Sequence, residues 1–232
     1  MNLTLQTIPS TLVSELLANS KFDGVVLDME HGNFANETLY SCIQVITLSK
    51  KQCFVRFTDL NKTLVRMCLD AGATGVIFST IESPEQSQEI IDFCRYPLHN
   101  GKRGCGLVRE NQWGDGGVGT RIPIIIGQIE TRKAVDNLKS ILKCGFDMFI
   151  IGPYDLSNSL GRPCEWENSL FKKYINKIYS LIPSSKLGTF LPTLKNIEKF
   201  KSEKKDNKAT PKLVVWGMDT DFIKNGINSI SI

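Results

Sequence analysis

Residues 123–155 read PIIIGQIETRKAVDNLKSILKCGFDMFIIGPYD, and their pattern decides the fold. The run Pro123–Glu130 is short, rich in isoleucine and nearly continuous in apolar character. After Thr131, the residues Ala134, Leu138, Ile141 and Leu142 recur at helical spacing, and Gly145 supplies a stop. A second apolar run, Asp147–Gly152, follows. Strands without polar alternation, joined by an amphipathic helix, are those of a parallel sheet covered on both faces.

The same unit recurs on either side. Further β-rich runs are Leu3–Ile8, Gly24–Asp28, Cys53–Phe57, Gly75–Ser79, Leu187–Leu191 and Lys212–Trp216. Between them, Ser83-Pro84-Glu85-Gln86 offers a capping serine, proline at the first helical position and glutamine three residues after the cap. Asn61 opens another helix, with Leu64, Val65, Met67 and Cys68 on its inner side and Gly72 at its end. Eight strands in alternation with helices predict an α/β fold of the (β/α)8 TIM-barrel type, one domain over residues 1–232. Dividing 232 residues by eight gives 29 per unit, which makes it compact. A doubly wound open sheet is the alternative.

Composition excludes several classes of function. With 41% hydrophobic residues the chain can build a large core, which disordered and coiled-coil proteins cannot. The net charge is +4, and the densest basic run, Lys199–Lys208, is interrupted by Glu203 and Asp206. That run reads as a solvated surface helix and loop, not as a nucleic-acid stripe. Seven cysteines at 42, 53, 68, 94, 105, 144 and 164 form no C-x-x-C pair. They read as small buried hydrophobes in a reducing compartment. The first residues lack a basic segment followed by a long apolar one, and no apolar stretch reaches the ~20 residues of a membrane span. The expectation is a soluble, cytoplasmic protein without nucleic-acid or membrane partners.

One segment breaks the rhythm. Gly101–Arg121, GKRGCGLVRENQWGDGGVGTR, carries too many glycines for a regular element. The G-x-G at Gly104 and Gly106 is followed by no helix, and no G-K-[ST] is present, so a phosphate-cradling loop is unsupported. The segment reads as a flexible connection or as a lid over the site.

Active sites of barrels lie at the C-terminal ends of the strands. Those ends carry Asp28-Met29-Glu30-His31-Gly32, Arg56, Gln128-Ile129-Glu130-Thr131 and Gly152-Pro153-Tyr154-Asp155. Charged residues that terminate apolar strands are poor packing units, so chemistry is the better explanation for them.

The motifs LDMEHG, VRF, LDAGATGV, RYPLHNGKRGCG, QIETRKAVDNL and IGPYDLSNSLG, in this order, resemble those of the HpcH/HpaI aldolase family. The resemblance runs from about Thr7 to Pro163 and continues more faintly through KLGTFLPT and WGMDTDFIKNGI. It implies a metal-dependent class II aldolase that cleaves a 4-hydroxy-2-oxo (2-keto-3-deoxy) acid to pyruvate and an aldehyde. It further implies that Glu130 and Asp155 hold a divalent ion, Mg²⁺ or Mn²⁺ first and Co²⁺ or Zn²⁺ next. Arg56 matches the arginine beside the 2-oxo group, with an ion pair to Asp70 or Glu30 as its alternative use. His31 matches the acid–base histidine, and Asp28 and Asp70 match carboxylates that would orient or tune it. Backbone N–H groups at Gly152-Pro153-Tyr154-Asp155 would bind the substrate carboxylate, and because proline has none, Tyr154 and Asp155 are the expected donors. Gln128 would support this site, and a homo-oligomer is expected.

His99 reads as a surface residue, and Trp113 as a cap on the substrate or a contact to a neighbouring subunit. Three features depart from the family pattern. Ser79 stands where proline is usual, the loop from Arg103 to Gln128 is short, and the C-terminus is short. Alternative readings are an acyl-CoA lyase like the citrate-lyase β-subunit and a non-catalytic barrel that binds a 2-oxo acid.

Overall fold

The computed structural model describes residues 1–203 and 211–230, with the side chains of 199–203 left aside. Eight parallel strands close into a barrel in sequence order: β1 (Asn2–Gln6), β2 (Gly24–Asp28), β3 (Gln52–Phe57), β4 (Gly75–Phe78), β5 (Ile124–Ile129), β6 (Met148–Ile151), β7 (Leu187–Leu191) and β8 (Leu213–Met218). Each apolar run predicted from sequence is one of these strands, with ends shifted by two residues at most. The open doubly wound alternative is thereby excluded.

Around the barrel run α1 (Thr11–Ala18), α2 (Asn36–Leu48), α3 (Lys62–Asp70), α4 (Pro84–Cys94), α5 (Arg132–Asp136), α6 (Leu138–Ile141), α7 (Pro153–Ser159), α8 (Ser169–Leu181), α9 (Leu194–Glu203) and α10 (Asp219–Asn228). The caps expected from sequence are present. Asn61 accepts from the Leu64 N–H, and Ser83 from the Gln86 N–H at 3.1 Å. Gly145, at φ +102°, turns the chain from the helical layer into β6, a conformation any side chain would strain. Of the Lys199–Lys208 run, α9 includes the first residues; the side chains and the loop expected after them lie outside the described residues.

Two cores follow from the two-residue period of the strands. Outward residues such as Val25, Val55 and Val76 pack against the helices, together with Ile43, Val65 and Leu138. Inward residues Leu5, Val26, Phe54, Ile77, Ile126 and Ile150 fill the barrel. Burial of each such side chain contributes roughly 1.5–3 kcal/mol. Four cysteines, 42, 53, 68 and 94, are buried in this way, whereas Cys105 and Cys164 are exposed and Cys144 is half-buried. Those three correct the expectation that the cysteines are core residues.

At the C-terminal mouth, buried Asp219 ties the first and last strands together. Its carboxylate accepts the Thr7 N–H at 2.9 Å, the Thr7 hydroxyl at 2.8 Å and the Ile8 N–H at 2.8 Å.

Candidate active site

The inward pleat that fills the barrel continues upward into charge. Two residues beyond Val26 is Asp28, two beyond Phe54 is Arg56, and two beyond Ile77 is Ser79. Two beyond Ile126 is Gln128, with Glu130 next in the same phase, and two beyond Ile150 is Gly152. Strand periodicity thus delivers these residues to one layer at the C-terminal mouth. Asp28 and Arg56 are direct partners in the β2–β3 register.

Arg56 is held on two sides. Its Nε and Nη2 donate to the two carboxylate oxygens of Asp28, each at 2.8 Å, in a bidentate pair. Its Nη1 lies 2.9 Å from Glu30 Oε2, and its guanidinium sits 5.7 Å from the Phe190 ring centroid. Burial alone lowers the Arg56 pKa, but the Asp28 hydrogen bond and the carboxylates around it outweigh this and raise it. The alternative use of Arg56 is thus partly correct: the partner is Glu30, but the other is Asp28 and not Asp70.

Glu130 is buried at 2% exposure. Its Oε1 accepts the Thr80 N–H at 2.7 Å and the Thr80 hydroxyl at 2.9 Å, and Gln128 Nε2 donates to its Oε2. Desolvation raises the Glu130 pKa, and nearby Glu30 adds to the rise against these hydrogen bonds. Glu30 in turn accepts the Ser79 hydroxyl at 2.8 Å. Glu30, Ser79 and Thr80 therefore belong to the site; the sequence places Glu30 and Ser79 at strand ends without giving them a role in it, and carries no sign of Thr80.

His31 and Asp155 lie exposed, with side chains that make no hydrogen bond or ion pair among the described residues. Tyr154 is exposed and packs its ring edge-on to Trp166 at 5.2 Å. Asp155 lies in the first turn of α7, where Leu156 N–H is the first to bond back, to the Gly152 carbonyl at 3.0 Å. The N–H groups of Tyr154 and Asp155 make no hydrogen bond among the described residues. Gly152 must be glycine: a Cβ there would stand 2.6 Å from Glu130 Oε2 and 3.1 Å from Gln128 Nε2.

Two expectations are overturned by topology. Asp70 ends α3 and leads into the start of β4, so it lies at the N-terminal rim, across the barrel from His31 of the same chain. There it pairs with buried Arg103 at 2.7 Å. The glycine-rich segment joins α4 to β5, so it too lies at that far rim and is no lid over its own chain's mouth. Trp113 lies on this segment, 67% exposed, and does not cap the site of its own chain. His99 is half-buried, its Nε2 2.9 Å from the Thr120 carbonyl, rather than a free surface residue.

The donors fit a hard divalent cation. Asp28, Glu30 and Glu130 set three carboxylates against the single Arg56 guanidinium, which leaves two negative charges uncompensated when all are ionised. Glu30 Oε2 is buried and has no aligned hydrogen bond, despite its contact with Arg56. The clear space beside Glu130 Oε2 depends on Gly152 lacking a side chain. Oxygen donors of this kind favour hard cations over softer ones. Among the described residues, no three His, Cys, Asp or Glu side chains converge as a complete ligand set, so water and substrate oxygens would have to complete the coordination.

A family model for HpcH/HpaI aldolase/citrate lyase matches residues 9–211. The chain belongs to this family. Over 161 residues it is 32% identical to the 2-keto-3-deoxy-L-rhamnonate aldolase of Klebsiella pneumoniae, a match that spans 66% of this chain but 60% of that relative's length. The aldolase of the same name from Salmonella gallinarum is 28% identical over 235 residues, 95% of this chain and 80% of its own. Among solved structures, an HpcH/HpaI aldolase/citrate lyase family protein from Burkholderia cenocepacia superimposes with a TM-score of 0.83 at 21% identity, over 98% of this chain and 91% of its own. Macrophomate synthase gives a TM-score of 0.82 at 21% identity, over 99% and 82%. At such identities these structures speak to the fold, and they agree with the closed barrel.

Proposed function

We propose that this HpcH/HpaI protein is a divalent-metal-dependent aldolase that reversibly cleaves a 4-hydroxy-2-oxo acid to pyruvate and an aldehyde. The observation that carries the reading is the excess of three carboxylates, Asp28, Glu30 and Glu130, over the single immobilised Arg56 at the mouth. The names of the aldolase relatives support a 2-keto-3-deoxy sugar acid as the substrate class.

The chain's own groups divide the work. The free N–H groups of Tyr154 and Asp155 bind the substrate carboxylate. Glu130 and Asp155 hold the cation, Mg²⁺ or Mn²⁺, with Gln128 fixing Glu130. When bound, the cation supplies Lewis acidity toward the 2-oxo oxygen. Arg56, locked by Asp28 and Glu30, faces that oxygen with a fixed positive charge. Breakage of the C3–C4 bond sends its electron pair into the C2–C3 enolate, whose oxygen gains the charge Arg56 stabilises. His31, open to solvent, accepts the C4-hydroxyl proton in cleavage and returns it in synthesis.

We further propose a homo-oligomer, because Leu98, Leu107, Trp113, Val118 and Ile122 are exposed along the far-rim segment. Seven free cysteines support a cytoplasmic location.

The test is pyruvate release from a panel of 2-keto-3-deoxy acids, with and without chelator, followed by an aldehyde screen in the condensation direction. Metal-restored turnover is expected. Chelator-insensitive turnover would remove the cation from the reading, and no turnover on any acid would remove the aldolase.

A further inference from the structure

The end of β4 departs from strand geometry in a way that serves the two carboxylates. Consecutive residues of a strand point to opposite faces. Ser79 follows the inward phase, so Thr80 would turn away from the mouth if the strand ran on. Instead Thr80 adopts φ +50°, a left-handed conformation that is a genuine outlier for a β-branched residue. The result is that both hydroxyls reach acidic partners at the mouth: Ser79 Oγ donates to Glu30 Oε1 at 2.8 Å, and Thr80 Oγ1 and N–H donate to Glu130 Oε1 at 2.9 and 2.7 Å.

The turn is locked from behind. Gln86 Nε2 donates to the Thr80 carbonyl at 3.2 Å, and Gln86 Oε1 accepts the Glu82 N–H at 2.9 Å. Gln86 is itself fixed, because its N–H is capped by Ser83 at the start of α4. A strained residue held this firmly points to function, since the strain must be offset by its surroundings.

We propose that Ser79 and Thr80 are positioning residues that set cation affinity by clamping Glu30 and Glu130 as a separated pair. Each hydroxyl occupies one oxygen of its carboxylate, Oε1 in both cases. Glu130 Oε2, which also accepts from Gln128 Nε2, and Glu30 Oε2, which faces Arg56 Nη1 at 2.9 Å, each keep one further lone pair for the cation or its waters. The two like charges are held at fixed positions instead of relaxing apart or sharing a proton. This inference rests on the metal-dependent reading above.

The experiment measures Mn²⁺ binding to the chelator-treated full chain by the loss of the free-ion paramagnetic signal, alongside melting temperature. Thr80→Val keeps shape and backbone but removes the hydroxyl, and it is expected to weaken Mn²⁺ binding about tenfold. Thr80→Ser should return affinity to within about twofold of wild type, and Ser79→Ala should weaken it about threefold. Thr80→Gly relieves the backbone, so it should melt no lower than Thr80→Val yet bind Mn²⁺ as weakly. Wild-type protein that binds Mn²⁺, together with Thr80→Val and Ser79→Ala variants of equal affinity, would overturn the clamp alone. Wild-type protein that takes up no Mn²⁺ would remove the metal reading and the clamp with it.

Discussion

Each rim of the barrel buries an arginine between two carboxylates, and the two clusters serve opposite ends. At the C-terminal mouth, Arg56 lies between Asp28 and Glu30, with buried Glu130 close by as a third carboxylate. At the N-terminal rim, Arg103 lies between Asp70 at 2.7 Å and Glu110 at 3.3 Å, with its guanidinium 4.5 Å from the Tyr96 ring centroid. The mouth has an excess of negative charge. The far rim has an excess of positive charge, because Arg109 and Arg121 join Arg103 there.

That positive excess is absorbed internally. Arg109 donates to the Ala71 carbonyl at 2.6 Å and Arg121 to the Gly72 carbonyl at 3.3 Å, just past the C-terminus of α3, where the helix dipole favours cations. Burial lowers the Arg121 pKa; nearby Glu110 opposes this, and Arg103 and Arg109 add repulsion. The far rim is a staple that fastens the glycine-rich segment to α3. The mouth's excess has no such internal answer, which marks it as the place for a ligand.

Breaking each arginine should therefore have different consequences. Arg103→Met leaves Glu110, buried at 2%, without its cation, and loss of one partner of a buried pair destabilises by about 3–5 kcal/mol. Urea unfolding should register that loss, while Mn²⁺ affinity of the folded protein stays at the wild-type value. A folded Arg103→Met variant with altered Mn²⁺ binding would show that the two rims are not separate. Arg56→Ala should act the other way round in its main effect. Turnover should fall roughly hundredfold or more, the scale of losing one donor to a developing oxyanion. Near wild-type turnover in steady-state pyruvate release would leave Arg56 with a packing role only.

The comparison also explains what was legible in the sequence. Strands covered on both faces write continuous apolar runs, so all eight were readable, and their inward phase carried Asp28, Arg56, Gln128 and Glu130 to the mouth. The pairing of Asp70 with His31 and the lid alternative for the glycine-rich segment could have been tested against an available signal: both stretches precede a strand, and in a βα barrel such residues lie at the N-terminal end, where only the reading of the segment as a connection fits. Thr80 was unreadable for a different reason. A threonine does not by itself encode a left-handed conformation; the turn is held by Gln86, six residues on, whose side-chain contact the capping pattern does not disclose, and by Glu130, 50 residues away. Glu30 was legible as a charged strand-end residue and as an alternative partner for Arg56, but its contact with Ser79, 49 residues away, was not.

The smallest effect separates stability from function at the mouth itself. Burial raises the Glu130 pKa, so the folded, metal-free protein binds that proton more tightly than the unfolded chain does. Its stability should then fall as pH rises from the ordinary glutamate value through the raised one, and the ionised carboxylate remains a net burden above it. Glu130→Gln removes the charge and the slope. At neutral pH the metal-free variant should be more stable than wild type by about 1 kcal/mol, because an amide costs less to bury than a carboxylate. Adding Mn²⁺ should reverse the order, since ligand at a hundredfold excess over its dissociation constant stabilises wild type by about 2.7 kcal/mol and the variant lacks the charge to hold it. Melting curves of both proteins, with and without Mn²⁺, at pH 5 and pH 8, measure all four states. A variant less stable than wild type in the absence of metal at pH 8 would mean that the Thr80 and Gln128 hydrogen bonds more than repay the burial of Glu130. The mouth would then be a second staple, equivalent to the one at the far rim.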